Sequence, residues 1–388
     1  MKNVKLSDYL NVVTRCIGCN FCLENSWTGT YHGCPLYDAY EFESYGPKGK
    51  NLITRLILSN DKNLTLDKKL TGRIFSCADC GYCDEFCMTG LPLEEIRQAL
   101  QHHVLKEAKD AEIPSHITRS QNILKKTGNI FGKTEADKFG WLEDKSVLDK
   151  KDADVIYFVG CTTLYSQTQI AKAVVRLLKK MNINFTILSN EKCCGYPFYI
   201  TGDLEKGVEF TEENISMFKE TNAKLVLFNC PGCMKTFLRT YTHYTNKHFP
   251  LKAMHIVEFI NNFLKERRIS LRLNAKITAT FHDPCHLGRG LGIYDAPREA
   301  LKHIENLELV EMPRSREKSY CCGGGLTTTD PKIKDKISTL RLKEAESTHA
   351  SIVLQACPTC ALNFNRAVKK NKSSLEVMDI VEILDKLL

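Results

Sequence analysis

Features that would place the chain in a membrane or on a nucleic acid are missing from its 388 residues. No apolar run reaches the length of a transmembrane helix, and Met1 to Leu10 lack the basic-then-apolar order of a signal peptide. The net charge of +8 is spread along the chain, and no nucleic-acid-binding module accompanies it. We therefore expect a cytoplasmic protein, or one peripheral on the cytoplasmic face of a membrane, with no nucleic-acid partner.

Motifs for organic cofactors and nucleophilic catalysis are absent too. The sequence has no flavin or nicotinamide fingerprint and no Ser–His–Asp signature, and Gly323–Gly325 lacks the spaced glycine and lysine of a phosphate loop. Cysteine, in contrast, occurs 18 times, in a chain too long for a small secreted disulfide scaffold. This combination predicts reduced thiolates on metal and an exchange of electrons with a partner protein.

The cysteines divide the chain into an N-terminal helical part and two α/β halves. Strand-like runs alternate with helical runs after residue 152, which favours parallel sheets. His255–Ile260 resembles Met378–Ile383, and the whole order of elements recurs at an offset of about 125 residues, which indicates an internal duplication about a pseudo-twofold axis. The predicted organisation is a ferredoxin-type domain at 1–110, a linker at 111–151, and Rossmann-like cysteine-rich halves at 152–272 and 273–388.

Three buried strands are predicted in each half from β-branched and apolar runs. They are Val155–Val159, Phe185–Leu188 and Leu225–Phe228 in the first half, and Ile277–Phe281, Leu307–Glu311 and Ile352–Gln355 in the second.

The N-terminal cysteines have the spacing of [4Fe–4S] ferredoxins. Cys77, Cys80, Cys83 and Cys87 follow the C-x2-C-x2-C-x3-C pattern, although Met88 replaces the usual proline. A second run, Cys16, Cys19 and Cys22, has Ser26 where a fourth cysteine is expected, and a Cys-Pro pair follows eight residues later at Cys34. We interpret Ser26 to Gly33 as a loop insertion; the alternative is a three-cysteine site with a labile iron or a serine ligand.

In two-cluster ferredoxins the fourth cysteine of each run reaches across to the other cluster. Such crossing predicts one cube on Cys16, Cys19, Cys22 and Cys87, and another on Cys77, Cys80, Cys83 and Cys34. Zinc is the alternative metal, but its sites use paired C-x2-C units, and three successive cysteines at x2 spacing fit cubes better.

The C-terminal cysteines form two sets of five with nearly the same spacing. The first cysteine set is Cys161, Cys193, Cys194, Cys230 and Cys233; the second cysteine set is Cys285, Cys321, Cys322, Cys357 and Cys360. In each half every cysteine group follows a predicted strand, and the carboxyl ends of parallel strands meet at one crevice. We therefore expect five thiolates to converge in each half.

Five thiolates exceed what a simple cube needs. The adjacent pairs suit a larger or distorted cluster, or one ligand beside a free reactive thiol, and the glycine after each pair permits a turn with positive φ. Disulfides or inert core thiols are the structural alternative, which the repetition of the full set disfavours.

The paired sets resemble the cysteine-rich domains of heterodisulfide reductase. With the ferredoxin-type part, the whole chain is similar to the D-type subunits of heterodisulfide reductase and to the iron–sulfur subunits of glycolate oxidase, lactate-utilisation and anaerobic glycerol-3-phosphate dehydrogenase systems. Cys34–Tyr37 and Glu43–Lys50 resemble the oxidase branch. The resemblance implies two cubane clusters and, on the ten C-terminal cysteines, two non-cubane [4Fe–4S] clusters that cleave a disulfide, with Cys193, Cys194, Cys321 and Cys322 at the reaction centre.

Two side chains near Cys285 are further candidates. His286 could supply a proton to a departing thiolate, tune the cluster through a hydrogen bond, or simply pack. Arg289 could bind a substrate carboxylate or phosphate, or lie at the surface or near a cluster.

Three functions remain open from the sequence. The chain is a disulfide reductase subunit, or an electron-transfer subunit between a flavoprotein dehydrogenase and the quinone pool, or a redox sensor, which is the least favoured. A flavoprotein dehydrogenase or a membrane cytochrome b-type protein is the expected partner, and a small-molecule disulfide the expected substrate.

Overall fold

The computed structural model describes residues 2, 4–24, 33–325 and 330–388. The insertion predicted from Ser26 to Gly33 lies, apart from Gly33, outside the described residues. Within these ranges no helix is both long and apolar enough to cross a membrane.

Short helices make up the described N-terminal part. They are α1 (Leu10–Val13), α2 (Pro35–Tyr40), α3 (Pro47–Leu58), α4 (Lys68–Phe75), α5 (Tyr82–Glu85), α6 (Leu93–Lys106) and α7 (Ser115–Thr127). The sequence predicts helices over 49–59 and 93–109, close to the observed α3 and α6. Pro47 begins α3, a position that suits proline because its missing N–H has no partner within the helix.

The segment 111–151, predicted as a linker with some helix, contains α7 and buried side chains. Ile117 and Leu124 on α7 pack in the same core as Ile74 and Leu100, while Trp141 packs against the first sheet. The segment therefore fastens the N-terminal helices to the first half.

Each half contains four strands with intervening helices. In the first half the elements are β1 (Val155–Phe158), α8 (Cys161–Tyr165), α9 (Thr168–Lys180), β2 (Phe185–Thr186), α10 (Tyr196–Tyr199), α11 (Leu204–Lys219), β3 (Leu225–Phe228), α12 (Pro231–Lys235), α13 (Tyr241–Thr245), β4 (Lys252–His255) and α14 (Ile256–Arg267). In the second half they are β5 (Leu271–Phe281), α15 (Gly288–Leu291), α16 (Asp295–Lys302), β6 (Ile304–Glu311), α17 (Pro331–Glu346), β7 (Ile352–Gln355), α18 (Pro358–Asn371), β8 (Glu376–Asp379) and α19 (Ile380–Leu387).

The two sheets are parallel and have the same strand order. The orders are β2-β1-β3-β4 and β6-β5-β7-β8, so the predicted helical N-terminal part followed by duplicated α/β halves is confirmed. Loops that leave neighbouring strands in opposite directions open a crevice at the carboxyl edge of such a sheet. That crevice lies between β1 and β3 in one half and between β5 and β7 in the other.

The fourth strand of each sheet has no counterpart among the predicted strands. Strands β4 and β8 are short edge strands, and each is only partly buried, so neither carries the apolar run that marks a buried strand. Strand β2 has only two residues, while β5 begins at Leu271, well before the predicted Ile277. Both sheets nevertheless keep every predicted strand.

The halves pack about a pseudo-twofold axis, as the duplication predicts. Helix α9 of the first half packs on α19 of the second, and α14 of the first half packs on α16 of the second. Because α9 corresponds to α16 and α14 corresponds to α19, the two contacts are equivalent. Arg176 on α9 is hydrogen-bonded to Asp385 on α19 at 2.7 Å. The apolar side chains of both interfaces belong to one continuous core, which holds the two carboxyl edges in a fixed relation.

Candidate iron–sulfur centres

The loop after β1 brings Cys161 to the carboxyl edge of the first sheet. The carboxylate of Glu191 accepts the backbone N–H groups of Val159 at 3.1 Å and of Gly160 at 2.8 Å. Gly160 has φ +74°, and a Cβ there would lie 3.3 Å from Sγ of Cys233. Glycine is needed at this turn because the backbone must leave room for the thiols.

The Cys193–Cys194 pair lies in a tight turn fixed by polar side chains. Asn214 donates to the Cys193 carbonyl at 3.2 Å, and Thr211 donates to the Cys194 carbonyl at 2.9 Å. Gly195 follows with φ +93°, and the corresponding Gly323 has φ +83°. The prediction that each pair precedes a glycine with positive φ is confirmed.

Five thiols converge in each half. Sγ of Cys161 lies 4.0 Å from Sγ of Cys193 in the first set, and Cys194 lies within hydrogen-bonding reach of Cys233. In the second set Sγ of Cys322 lies 3.2 Å from Sγ of Cys360. Cys230 and Cys357 are the N-cap residues of α12 and α18, so both thiols lie at the first turns of these helices.

The two cysteine sets face each other across one cavity, here called the central cavity, of about 320 Å³. Thiols from both sets line it, and Cys230 lies within hydrogen-bonding reach of Cys357 across the boundary between the halves. Lys334 and Arg366 also line it, and no carboxylate of a described residue does. Burial and then the charge of Arg366 lower the pKa of Lys334.

The ferredoxin-type cysteines form two groups. Cys34, Cys77, Cys80 and Cys83 line one small cavity beside Lys50 and Arg97. Cys87 instead packs with Cys16 and Cys22 in an apolar cluster, which Cys83 also borders, and Cys19 is exposed. Burial, followed by the charges of Cys34, Cys16 and Cys19, raises the pKa of Cys22 to about 12. The grouping is the one that crossed ligation requires; the ligand assignment itself stays a prediction.

One ferredoxin-type cysteine touches the second cysteine set. Cys80 lies within hydrogen-bonding reach of Cys321, which in turn reaches Cys285. Arg289 fixes this junction by donating to the backbone carbonyls of Cys80 at 2.8 Å and of Ser319 at 2.8 Å. Arg289 is therefore a structural link between the N-terminal part and the second half.

His286 lies between the N-terminal part and both cysteine sets. Its Nε2 donates to the Asp79 carbonyl at 2.7 Å and lies 3.5 Å from the Asp79 carboxylate. Burial disfavours the charged ring, but Cys285 and Asp79 outweigh burial and raise the pKa of His286 to about 9. Asp79 also pairs with Arg97, so the histidine belongs to a buried charge network.

His282 is a residue near the cysteines to which the sequence analysis gave no role. Its side chain is buried, and a ring nitrogen and the sulfurs of Cys322 and Cys360 lie within 4.8 Å of one another. The signal that would have identified it is its place three residues before Cys285, directly after the buried run that ends at Phe281.

The donor chemistry of the site fits iron–sulfur clusters. All 18 cysteines are free thiols, and those of the two sets converge at buried edges where sulfur ligands suit iron. Nε2 of His282 is buried and makes no hydrogen bond to a nitrogen or oxygen of the described residues, and Cys322 lies within hydrogen-bonding reach of the ring.

Comparison with known proteins finds two kinds of domain in the chain. A 4Fe-4S dicluster domain matches residues 12–91, and a cysteine-rich domain matches twice, at residues 155–237 and 279–365. Among solved structures, a hypothetical protein from Helicobacter pylori has a similar fold, with a TM-score of 0.53 at 12% identity over 87% of this chain and 66% of that one.

Several curated relatives are named as oxidoreductases or their subunits. The D-type subunit of the dihydromethanophenazine:CoB–CoM heterodisulfide reductase of Methanosarcina barkeri is 29% identical over 95% of this chain and 92% of its own. The B-type subunit of the fumarate reductase (CoM/CoB) of Methanothermobacter marburgensis is 24% identical over 99% of this chain and 75% of its own. The EtfAB:quinone oxidoreductase of Syntrophomonas wolfei is 23% identical over 84% of this chain and 48% of its own, so the chain spans about half of that protein.

These matches and the convergent cysteines assign the chain an electron-transfer role. The chain joins a 4Fe-4S dicluster domain to two cysteine-rich domains and is similar, over nearly its full length, to the D-type subunit of a heterodisulfide reductase.

Proposed function

We propose that the chain reduces a small-molecule disulfide in the central cavity, with electrons arriving through the ferredoxin-type part from a flavoprotein or a cytochrome b-type partner. The observation that carries this proposal is the facing of two complete cysteine sets across one cavity. A simple electron path needs only one cluster at a time, whereas a disulfide takes two electrons. Two equivalent sites on opposite walls suit the two sulfur atoms of one substrate.

The overall step balances as R–S–S–R′ plus two electrons and two protons giving RSH and R′SH. The sulfur–sulfur bond breaks, each sulfur gains one electron, and each thiol leaves with one proton. The first and second cysteine sets would each hold a non-cubane [4Fe–4S] cluster. Each of the two ferredoxin-type groups would hold a cube: the Cys16 group is Cys16, Cys19, Cys22 and Cys87, and the Cys77 group is Cys77, Cys80, Cys83 and Cys34. Bound clusters would supply single electrons and iron centres that accept sulfur ligands.

The charges around the central cavity support a substrate with anionic substituents. Lys334 and Arg366 line the cavity, and neither forms an ion pair in the described part of the chain. The cavity therefore suits a disulfide with carboxylate, phosphate or sulfonate groups.

His286 is placed to carry protons to the cavity. It lines the central cavity and also a separate open cleft that contains Asp84, Glu94 and Glu95. The ring thus stands between the acidic cleft and the thiols, and its Nε2 donates to a backbone carbonyl, which leaves Nδ1 for exchange. We propose His286 as the proton donor to a departing thiolate.

The contact of Cys80 with Cys321 supports the electron route. It joins the Cys77 group to the second cysteine set without an intervening residue. Electrons would enter at the Cys16 group, whose Cys19 is exposed, pass to the Cys77 group and then reach the second cysteine set.

Transfer of electrons from a flavoprotein to quinone is the second candidate. It is favoured by the Cys34–Lys50 resemblance and by the relative whose name is EtfAB:quinone oxidoreductase. In that case the cysteine sets would act as relays, and no disulfide would be reduced.

The test begins with anaerobically purified protein. We expect about sixteen irons, four for each of four clusters, and oxidation of reduced viologen by anionic disulfides. Cys357→Ala should abolish this activity while the ferredoxin-type EPR signals stay. About eight irons, or full loading without activity on any disulfide but with electron uptake from a reduced flavoprotein, would refute disulfide reduction and favour the second candidate.

A further inference from the structure

The two cysteine sets have the same spacing but different polar surroundings. His282 lies three residues before Cys285, and Phe158 lies three residues before Cys161. The sheet registers make the same match. Phe158 pairs with Phe228, which lies two positions before Cys230. Phe281 pairs with Leu354, which lies three positions before Cys357. The next residue, His282, is therefore aligned with the residue two positions before Cys357. Phe158 and His282 are therefore equivalent positions in the two halves.

The packing around these two positions is also equivalent. The ring of Phe158 makes an edge contact with Phe237 at 5.3 Å, and the ring of His282 makes the same contact with Phe364 at 5.1 Å. Phe237 and Phe364 each lie four residues after the last cysteine of their set. The halves thus differ at this position in hydrogen-bonding capacity rather than in shape.

A buried arginine fixes the protonation of the His282 ring. Nε of Arg341 donates to Nδ1 of His282 at 3.0 Å. Arginine has no acceptor, so Nδ1 must carry the lone pair and Nε2 the hydrogen. The guanidinium is itself held, because it donates to Glu344 at 2.7 Å and to Ser319 at 3.1 Å, and Arg341 is fully buried.

This arrangement leaves a buried N–H donor on the side of the cysteines. Nε2 of His282 makes no hydrogen bond to a nitrogen or oxygen of the described residues, and Cys322 lies within hydrogen-bonding reach of the His282 ring. A ring nitrogen lies within 4.8 Å of the sulfurs of Cys322 and Cys360. Cysteine sulfur and the sulfur atoms of a bound cluster are therefore the acceptors available to this N–H group.

A second donor repeats the asymmetry. Nδ2 of Asn363 donates to Sγ of Cys322 at 3.8 Å. The equivalent residue in the first half, three positions after Cys233, is Thr236, and its hydroxyl donates to the Gly232 carbonyl at 2.8 Å. Two N–H donors thus lie beside sulfur in the second half, where the first half has a hydrocarbon ring and an occupied hydroxyl.

We propose that His282, held by Arg341, is a positioning residue that donates a hydrogen bond to the cluster of the second cysteine set and makes that cluster easier to reduce than the cluster of the first set. Hydrogen bonds to cluster sulfurs stabilise the added negative charge and raise the reduction potential. The two halves would then have different tasks: electrons collect at the second set, beside Cys80, before the substrate is reduced.

This inference rests on the proposed function only in requiring that clusters occupy both cysteine sets. His282→Phe is the matched variant, because it reproduces the aromatic packing of Phe158 and removes only the donor. His282→Gln returns an N–H donor near the position of Nε2. His303→Phe is the control, since His303 precedes β6 at the end of the sheet away from Cys321 and bonds to the Ile269 carbonyl at 3.0 Å.

The experiment is an anaerobic potentiometric titration followed by EPR, with pulsed EPR for nitrogen coupling. We expect two unequal midpoint potentials in the unaltered protein. His282→Phe should lower the higher one, reducing the ratio of reduced to oxidised cluster about tenfold at fixed potential, which is about 59 mV for one electron. His282→Gln should restore most of this loss, and His303→Phe should change neither potential.

Two results would overturn the inference while leaving the proposed function intact. One is unchanged potentials in His282→Phe with about sixteen irons retained. The other is strong nitrogen coupling together with iron loss in both His282 variants, which would make His282 a ligand. An iron content of about eight in the unaltered protein would overturn both proposals. This outcome can be measured without any variant.

Discussion

Close backbone contact between α6 and the loop before α11 fixes the ferredoxin-type part on the first half, and a single glycine permits it. Gly202 has φ +82°, and a Cβ there would lie 2.6 Å from the carbonyl carbon of Gln101 and 2.7 Å from the backbone nitrogen of His102. Backbone atoms cannot rotate away as a side chain can. We therefore expect Gly202→Ala to push the two elements apart.

Gly292→Ala is the control for this change. Gly292 has nearly the same φ, +78°, and a Cβ there would meet nothing within 4 Å. Both substitutions strain the backbone by about 1–2 kcal/mol, so this cost cancels in the comparison. The clash at Gly202 adds about 1–3 kcal/mol of overpacking.

The assay is urea unfolding of anaerobic protein, followed by fluorescence and by cluster absorbance. With an m-value of about 3 kcal/mol/M, Gly202→Ala should unfold at a midpoint about 0.3–1 M below that of Gly292→Ala. Electron transfer to the second cysteine set should also slow in Gly202→Ala alone. Equal midpoints for the two variants would refute the close approach as the feature that holds the parts together.

Three further predictions concern the clusters, the proton path and the interface. Cys34→Ala should lose about four of about sixteen irons, and the EPR signal it loses should differ from the signal that Cys87→Ala loses. Loss of the same signal in both variants would contradict crossed ligation. His286→Gln should keep its iron but lower disulfide reduction by about 10²–10⁴-fold, the usual contribution of a general acid; an unchanged rate would exclude the proposed proton path. Asp203→Asn should destabilise the protein by about 1–3 kcal/mol, because the buried carboxylate binds Lys106 at 3.1 Å and Lys125 at 2.8 Å. Burial alone would raise the pKa of Asp203, but the two lysines outweigh burial and lower that pKa. The stability that the carboxylate provides is therefore lost only below about pH 4. The difference in denaturation midpoint between the unaltered protein and Asp203→Asn should stay constant between about pH 6 and pH 9, and a difference that disappears by about pH 6 would contradict the pairing.

The sequence alone determined the cofactor class, the duplication and the fold class. Cysteine spacing is local, and three thiols at x2 intervals can grip one cube wherever the chain lies, so the sites near Cys16 and Cys77 could be recognised without a structure. The buried strands were equally readable, because parallel strands covered on both faces are continuous apolar runs. The convergence of each set of five followed from the rule that the carboxyl ends of parallel strands meet at one edge.

Tertiary structure decided what lies between these sites. The contact of Cys230 with Cys357, the contact of Cys80 with Cys321, and the attachment of Gly202 to α6 join residues that are distant in sequence, and no local pattern encodes such pairs. The role of His282 depends on Arg341, 59 positions later, which fixes the tautomer of the imidazole by giving its Nδ1 a donor. Sequence spacing shows two equal cysteine sets, and only packing shows that their polar surroundings differ.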